Sequence, residues 1–213
     1  MVGSWKLLLM ILGVDMVCGP LLTLVAANSN KPKSELLRDF IFIAIIQLSA
    51  LSYGVYALFQ SRPVMEVFDK DRFYVVSALQ IDPEELKKAP IDMQQLPFVG
   101  LMKAGIRKAK TEQEFFYGID LSLAGIPPAV RPGWWISEKE VESDIDKAKI
   151  PLSSLVKAKP EVKAILVQYI NEKDIPNLFY IPFTSEKTAE WIVILDNKKQ
   201  RLEYIPVDGF VNE

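Results

Sequence analysis

The first residue that could do chemistry is a single carboxylate inside an apolar run near the start of the chain. Asp15 lies near the middle of residues 7–27, which read LLLMILGVDMVCGPLLTLVAA. At that depth in a membrane an ionisable group is costly unless it is paired, protonated or turned towards protein. Two interpretations stay open. Asp15 faces a partner protein, or it hydrogen-bonds to polar residues of a second span, namely Gln47, Ser49, Ser52 or Tyr53.

The rest of the sequence offers little for catalysis. It contains no histidine, which excludes an imidazole base, a Ser-His or Cys-His pair and a zinc site with His ligands. The single cysteine, Cys18, allows neither a disulfide nor a Cys cluster for metal. An intramembrane aspartyl protease needs two facing aspartates, and the spans offer Asp15 alone. No phosphate-binding glycine loop is present. A Ser-Lys dyad stays open, but we expect no enzymatic activity, no cofactor and no metal.

Two apolar runs predict a transmembrane helix hairpin over residues 1–61. Besides residues 7–27, residues 40–59 read FIFIAIIQLSALSYGVYALF and carry no charge. A helix of about 20 apolar residues crosses the hydrocarbon core of a bilayer. Gly19 and Pro20 should loosen the first helix, because proline removes a backbone donor and crowds the preceding turn.

The segment between the two runs predicts the orientation of the chain. It reads NSNKPKSELLRD and carries Lys31, Lys33 and Arg38, so the positive-inside rule places it in the cytoplasm. Two crossings then place residues 62–213 on the other side. We therefore expect a multi-pass protein of a bacterial inner membrane with its C-terminal domain in the periplasm.

Residues 62–213 predict one α+β domain with an antiparallel sheet. PVMEVFDKDRFYVVSA reads as a hairpin around Asp69–Asp71, and FYIPF, WIVIL and LEYIPV are three further strands, the last two joined by DNKKQ. Between them, Ser137 and Glu140 form a capping box ahead of one helix, and Pro160 opens another in PEVKAILVQYINEK. We expect Trp191 to be substantially buried.

Two segments of this domain predict surface structure. GIDLSLAGIPPAVRPGWW, rich in glycine and proline, should be an irregular connection with exposed or half-buried aromatic residues. KAGIRKAK should be a solvated charge run. The whole chain has a net charge of −2, which gives no electrostatic basis for binding nucleic acid.

Several motifs together resemble the type IV pilin accessory proteins of the TfpX/TfpZ family. They are the GSWK opening, GVDMVCGPLLTLV, the basic NKPK loop, QLSALSYGVYALFQSRPV and VFDKDRF, followed by QLPFVG, FYIPF, WIVILD and the closing VDGF. The resemblance covers essentially the whole chain. It implies a small inner-membrane protein that works beside a major pilin and affects pilin handling, pilus assembly or pilus dynamics without chemistry of its own.

The resemblance also suggests which residues contact a partner. The V-D-x-V-x-G-P-L core of the family includes Asp15, Gly19 and Pro20 here. Its R-P-V element includes Arg62 and Pro63, and its D-R-F element is Asp71, Arg72 and Phe73. We take these eight residues as candidates for pilin binding. Family members typically carry another hydrophobic helix before the Gly-Trp-Lys region, whereas this sequence begins MVGSWK, so either the sequence is a shortened form or this member inserts with its N-terminus outside.

Two other functions compete with a pilin accessory role. The first is a membrane-anchored sensor or receptor whose extracytoplasmic domain binds a ligand. It would need a signalling partner, because the predicted cytoplasmic segment is only NSNKPKSELLRD. The second is a Ser-Lys or carboxylate hydrolase, which has the least support in the sequence. The major pilin and the lipid bilayer are therefore the expected partners.

Overall fold

The computed structural model describes residues 9, 13–14, 16–21, 32–186 and 188–210. The chain divides into two compact units, residues 1–62 and residues 63–213. In the first unit, residues 9, 13–14 and 16–21 are helical, and helix α1 spans Lys33–Gln60. Asp15 lies outside the described residues, so its proposed pairings stay predictions.

Helix α1 is long and apolar enough to cross a membrane, judged by length and composition. Among the described residues, no other helix is long and apolar enough to cross a membrane. Pro32 precedes the first turn of α1, and its last turn is closed by the backbone amides of Ser61 and Arg62, which donate to the carbonyls of Ala57 and Phe59 respectively. The second predicted span, residues 40–59, lies within α1. Much of the first, residues 7–27, lies outside the described residues, and two spans remain a prediction.

The second unit is built on one eight-stranded sheet. Its strands are β1 Pro63–Asp69, β2 Arg72–Ser77, β3 Met102–Ile106, β4 Trp135–Ser137, β5 Ile150–Pro151, β6 Phe179–Ser185, β7 Trp191–Leu195 and β8 Arg201–Ile205. The spatial order is β4-β3-β1-β2-β6-β7-β8, with β5 paired to β6 outside this path. The predicted hairpin at Asp69–Asp71 and the three C-terminal strands are confirmed.

The sheet is mixed, so the prediction of an antiparallel sheet was wrong. β1 pairs in parallel with β3, and β2 pairs in parallel with β6. Each of these pairs is separated in sequence by a connection long enough to return the chain to the end of the sheet where the earlier strand began. The hairpins β1–β2, β6–β7 and β7–β8 stay antiparallel because short turns join them.

Five short helices surround the sheet: α2 Pro83–Leu86, α3 Glu112–Leu123, α4 Glu142–Ala148, α5 Leu152–Ala158 and α6 Val162–Leu166. Turns of 3₁₀ helix lie at Ala78–Gln80, Ile91–Met93, Pro128–Val130, Pro132–Trp134, Glu138–Val141 and Glu172–Asn177. The Ser137–Glu140 capping box is confirmed, but it opens the 3₁₀ turn that leads into α4. The helix expected after Pro160 is only the five residues of α6.

The core lies on both faces of the sheet. On one face, Phe68, Phe73, Ile181 and Val193 pack with Ile145 of α4. The opposite face carries two clusters, one over β1, β2 and β3 and one where α5 and α6 cover β6, β7 and β8. Alternate residues of a strand point to opposite faces, so β1 and β7 contribute to both sides.

Two surface predictions need correction. Residues 118–123 of the expected irregular connection belong to α3, and Trp135 at its end is fully buried. The charge run KAGIRKAK begins inside strand β3, where Ala104 and Gly105 are buried. Trp191, which begins β7, is mostly buried, in agreement with the prediction.

Candidate functional site

In the first unit, Gly19 and Pro20 lie in the helical residues 16–21. A β-carbon built on Gly19 would lie 3.1 Å from the side-chain Nε2 of Gln47 in α1. The missing side chain therefore lets the Gln47 amide approach this backbone closely. Gln47 Nε2 is buried and meets no acceptor among the described residues. At this point residues 16–21 lie close to α1.

Arg62 ends the first unit by closing α1. Its Nη1 donates to the carbonyl of Phe59 at 2.8 Å, and its guanidinium lies 3.7 Å from the centroid of the Phe59 ring. A cation at the last carbonyls of a helix also interacts favourably with the helix dipole. Pro63, the next residue, begins β1 and pairs with Ser77.

Asp71, Arg72 and Phe73 occupy the other end of the β1–β2 hairpin. The Asp71 carboxylate accepts from Arg72 Nε at 2.8 Å, and this hydrogen bond lowers the pKa of Asp71. Phe73 is fully buried and packs edge to face against Phe68. The hairpin register places Pro63 and Asp71 at opposite ends of β1. The candidate residues of the second unit therefore do not form one site.

A buried ionic cluster ties the two halves of the sheet together. Arg201 of β8 donates from Nε to Oε1 of Glu66 in β1. Its Nη1 and Nη2 donate to the two carboxylate oxygens of Glu138 at 3.1 and 2.7 Å. Tyr204 donates to the other Glu66 oxygen at 2.7 Å.

Every side chain of this cluster has a hydrogen-bond partner within it, as expected for a cluster that stabilises the fold. Burial, followed by the neighbouring charge of Glu66, raises the pKa of Tyr204, so the phenol stays neutral and continues to donate. Both Glu66 oxygens already accept a hydrogen bond. Sequence reasoning missed the cluster because Glu66 and Arg201 read as ordinary outward residues of amphipathic strands.

The main cavity of the second unit lies beside α3, and we name it the α3 groove. It has a volume of about 1290 Å³. One wall is α3, from Glu112 to Leu123, and the others are the β1–β2 turn, the segment after β3, residues 128–134 and α4. Asp71 is the one predicted partner-binding residue of the second unit that lines it.

The start of α3 is fixed by a chain of polar contacts. The side chain of Thr111 accepts the backbone amide of Glu114 at 3.1 Å, which caps the helix. The Glu114 carboxylate forms a two-pronged ion pair with Arg107, and Arg107 Nε donates to the carbonyl of Gly133. The Arg107 hydrogen bonds hold the pKa of Glu114 down, at about 2. These contacts join α3 to the segment that ends at Trp134.

Arg131 lies on the inner side of the groove and is 6% exposed. It donates to the carbonyl of Gly118 at 2.8 Å, to the hydroxyl of Ser122 at 2.7 Å and to the carbonyl of Ile126. All three acceptors are neutral. Its Nη1 is buried with no acceptor in the part of the chain that the structure describes. Burial lowers the pKa of Arg131, while the nearby Asp69 opposes that effect.

The sequence does contain a pattern that indicates helix α3, which forms one wall of the groove. The pattern T-x-x-E at Thr111–Glu114 is the sequence signature of a capping box, of which the structure contains the Thr111 half, and the FFYGI that follows has the apolar content of a helix. The glycines and prolines of residues 118–135 instead predicted an irregular connection there, which hid the second half of α3. Among the described residues, no group of His, Cys, Asp and Glu could hold a metal ion.

Comparison with known proteins gives relatives along almost the whole chain. The chain is 34% identical over 214 residues to the fimbrial assembly protein of serogroup I from Dichelobacter nodosus, an alignment that covers 98% of this chain and 82% of that protein. It is 33% identical over 213 residues to the serogroup E1 protein of the same organism, again with 98% and 82% covered.

A third relative, the fimbrial assembly protein of serogroups C1 and C2 from Dichelobacter nodosus, is 42% identical over 87 residues, which cover 41% of this chain and 66% of that protein. No family model and no solved structure matches the chain. The first two alignments extend from the apolar helix through the sheet. The chain therefore belongs to the family of fimbrial assembly proteins.

Proposed function

We propose that this chain is an inner-membrane accessory protein of the TfpX/TfpZ type, which assists the handling of pilin during assembly of type IV pili and catalyses no reaction. The observation that carries the proposal is the identity of 34% along 98% of the chain to a protein named for fimbrial assembly. The motifs GVDMVCGP, RPV and DRF, which carry the resemblance to the TfpX/TfpZ family, point the same way.

In this proposal the two units have different tasks. Helix α1 anchors the chain in the bilayer, where its large exposed apolar residues, such as Phe42 and Ile46, contact lipid or the apolar helix of a pilin. The basic residues around its start, including Lys31 and Lys33, keep that end of the helix in the cytoplasm. The sheet unit then lies in the periplasm.

Deletion and crosslinking in the native bacterium test this function. We expect deletion of the gene to reduce surface pili and a plasmid copy to restore them. A photo-crosslinking amino acid at Ile46, which is exposed on α1, should capture the major pilin. The same amino acid at Tyr169, an exposed position of the second unit, is the control for non-specific capture.

Two results would contradict the proposal. Normal piliation in the deletion strain, with normal pilus retraction, would remove any role in pilus biology. Crosslinks from Ile46 to a histidine kinase or a chemoreceptor in place of pilin would favour the sensor function.

A further inference from the structure

The α3 groove has an apolar wall that the rest of the unit leaves uncovered. Phe115, Phe116, Ile119 and Leu123 all line it, and all four are exposed. The two phenylalanine rings pack edge to face with centroids 5.7 Å apart. Residues at this spacing share one side of a helix. Large apolar side chains grouped on one exposed face are typical of a surface that binds another molecule.

The groove is basic although the chain as a whole carries a net charge of −2. Its lining holds the cations Lys70, Arg107, Lys108, Lys110, Arg131 and Lys147 and the anions Asp69, Asp71, Glu112 and Asp144. Some of these charges are already paired, Asp71 with Arg72, Asp144 with Lys147 and Arg107 with Glu114. Lys108, by contrast, has no ion pair among the described residues. The charge that remains favours an anionic ligand.

Arg131 adds a buried charge that no carboxylate contacts within the described residues. Buried cations are ordinarily paired, because removing a charge from water is costly. The hydrogen bonds of Arg131 go to two carbonyls and one hydroxyl, and Nη1 has no acceptor. Asp69 attracts Arg131 without forming a salt bridge. A carboxylate brought into the groove by a ligand would compensate this charge.

The volume of the groove helps to distinguish a small-molecule site from a site for a polypeptide segment. Its volume of about 1290 Å³ exceeds the range of about 300–1,000 Å³ that is usual for small-molecule sites. An apolar helix lying in a hydrophobic groove is a common mode of peptide recognition, and a groove above the small-molecule range has room for such a segment.

We propose that the α3 groove binds an apolar polypeptide segment that carries at least one carboxylate. The apolar side of the segment covers Phe116 and its neighbours. Its carboxylate lies towards Lys108 and compensates the buried positive charge of Arg131. The inference rests on the groove itself and goes beyond the proposed role in pilus assembly, so a loss of pili on gene deletion neither supports nor contradicts it.

The test uses the full chain in lipid nanodiscs and a phage library of random 16-residue peptides. We expect the recovered peptides to be enriched in large apolar residues together with Asp or Glu, relative to the library and to empty nanodiscs. A recovered peptide is then synthesised, and a second version has its acidic residues replaced by amides. The amide version should bind about tenfold more weakly or worse.

Matched variants of the chain locate the binding. Phe116→Ser and Lys108→Glu should each weaken binding of the acidic peptide by about tenfold. Tyr117→Ser is the control for the first, because Phe116 and Tyr117 are both 62% exposed on α3 while Tyr117 does not line the groove. Lys157→Glu on α5 is the control for the second. Both controls should bind as the unchanged chain does, and all four positions are exposed, so folding should persist.

Three outcomes would overturn the proposal. One is the recovery of no peptides above empty nanodiscs, or of basic or uncharged peptides. Another is unchanged binding in Phe116→Ser with confirmed folding. The third is binding of dodecanoate that is lost in Phe116→Ser while no peptide binds, which would assign the groove to a lipid.

Discussion

Arg201 and Glu66 lie 135 positions apart in the sequence, yet they form an ion pair whose side chains are 8% and 0% exposed. The pair connects β8 at one edge of the sheet to β1 in its interior. Because Glu138 and Tyr204 complete the bonding of both partners, neither charge is left unpaired.

Removal of one partner of this pair should therefore be far more harmful than loss of an exposed pair. We expect Glu66→Ala to lower the free energy of unfolding of the second unit by about 2–4 kcal/mol, since the buried Nε of Arg201 and the hydroxyl of Tyr204 would both lose their acceptor, while Glu138 still balances the charge of Arg201. Glu84→Ala, which removes the exposed pair with Lys87, should cost at most about 1 kcal/mol. Urea unfolding of the full chain in detergent, followed by tryptophan fluorescence, measures both. Equal costs would show that the buried pair has no special role.

The Glu114–Arg107 pair should make stability depend on pH in a defined window. The pKa of Glu114 is about 2 in the folded chain, below its ordinary value of 4.5. Its charge therefore stabilises the fold above about pH 4.5, and that contribution disappears as the pH falls towards 2. The difference in unfolding midpoint between the unchanged chain and Glu114→Gln should follow this course.

Glu112→Gln is the control for that experiment. Glu112 lies in the same first turn of α3 but forms no ion pair with Arg107 among the described residues. Its substitution should change the midpoint less at neutral pH. A Glu114→Gln difference that is constant from pH 7 to pH 2 would contradict the prediction.

Close packing between β3 and Val141 should make Gly105 intolerant of a side chain. A β-carbon at Gly105 would lie 2.5 Å from Cγ1 of Val141 and 3.0 Å from its Cβ. We expect Gly105→Ala to destabilise the second unit by about 1–3 kcal/mol. Val141→Ala in the same chain should relieve the clash, so the double variant should be more stable than the sum of the single changes predicts. Strict additivity, measured by urea unfolding, would show that this contact is not the cause.

The proposed orientation predicts the behaviour of reporter fusions. A reporter that is active only in the periplasm should work when fused after Glu213 and fail when fused at Asn30. The basic side chains Lys31, Lys33 and Arg38 are the physical reason, since they are retained on the cytoplasmic side. Activity at Asn30 with none at Glu213 would invert the orientation.

The two interpretations of Asp15 predict different results for one substitution. If Asp15 faces pilin, Asp15→Asn should leave protein level and insertion nearly unchanged but weaken the pilin crosslink and change surface piliation. If Asp15 pairs within the chain, Asn should have almost no effect, whereas Asp15→Leu should lower abundance by removing a hydrogen bond worth about 1 kcal/mol. Normal crosslinking and piliation in the Asn variant would reject the partner role.

Local sequence patterns predicted the elements that short turns define. The hairpin around Lys70 and the strands on both sides of DNKKQ follow from alternating β-rich segments and polar turns. The parallel pairs β1–β3 and β2–β6 were missed, because nothing in a local pattern identifies the distant partner of a strand. β3 was also hidden by its composition, since Ala104 and Gly105 are small and lie among lysines.

Contacts between residues distant in the sequence are also the reason why the sequence did not predict the candidate site. Arg107 and Arg131 read as members of charged or proline-rich surface segments, and only the fold brings both guanidinium groups over the Trp134 ring. The family motifs identified Asp71, which lines the groove, but gave no indication of the aromatic wall on α3. That wall depends on α3 extending through residues 118–123, where the sequence favoured an irregular connection.

The parallel pairing of β2 with β6 also sets the order in which the domain can form during synthesis. Thr184 donates to the carbonyl of Phe73 across 111 positions, so one edge of the β1–β2 hairpin has no neighbour until β6 has been made. At a synthesis rate of about 5–20 residues per second, that edge stays open for on the order of ten seconds. An open strand edge is a template for aggregation. Nascent chains stalled before Phe179 should therefore be degraded by protease within β1 and β2, whereas chains completed through Phe210 should resist it.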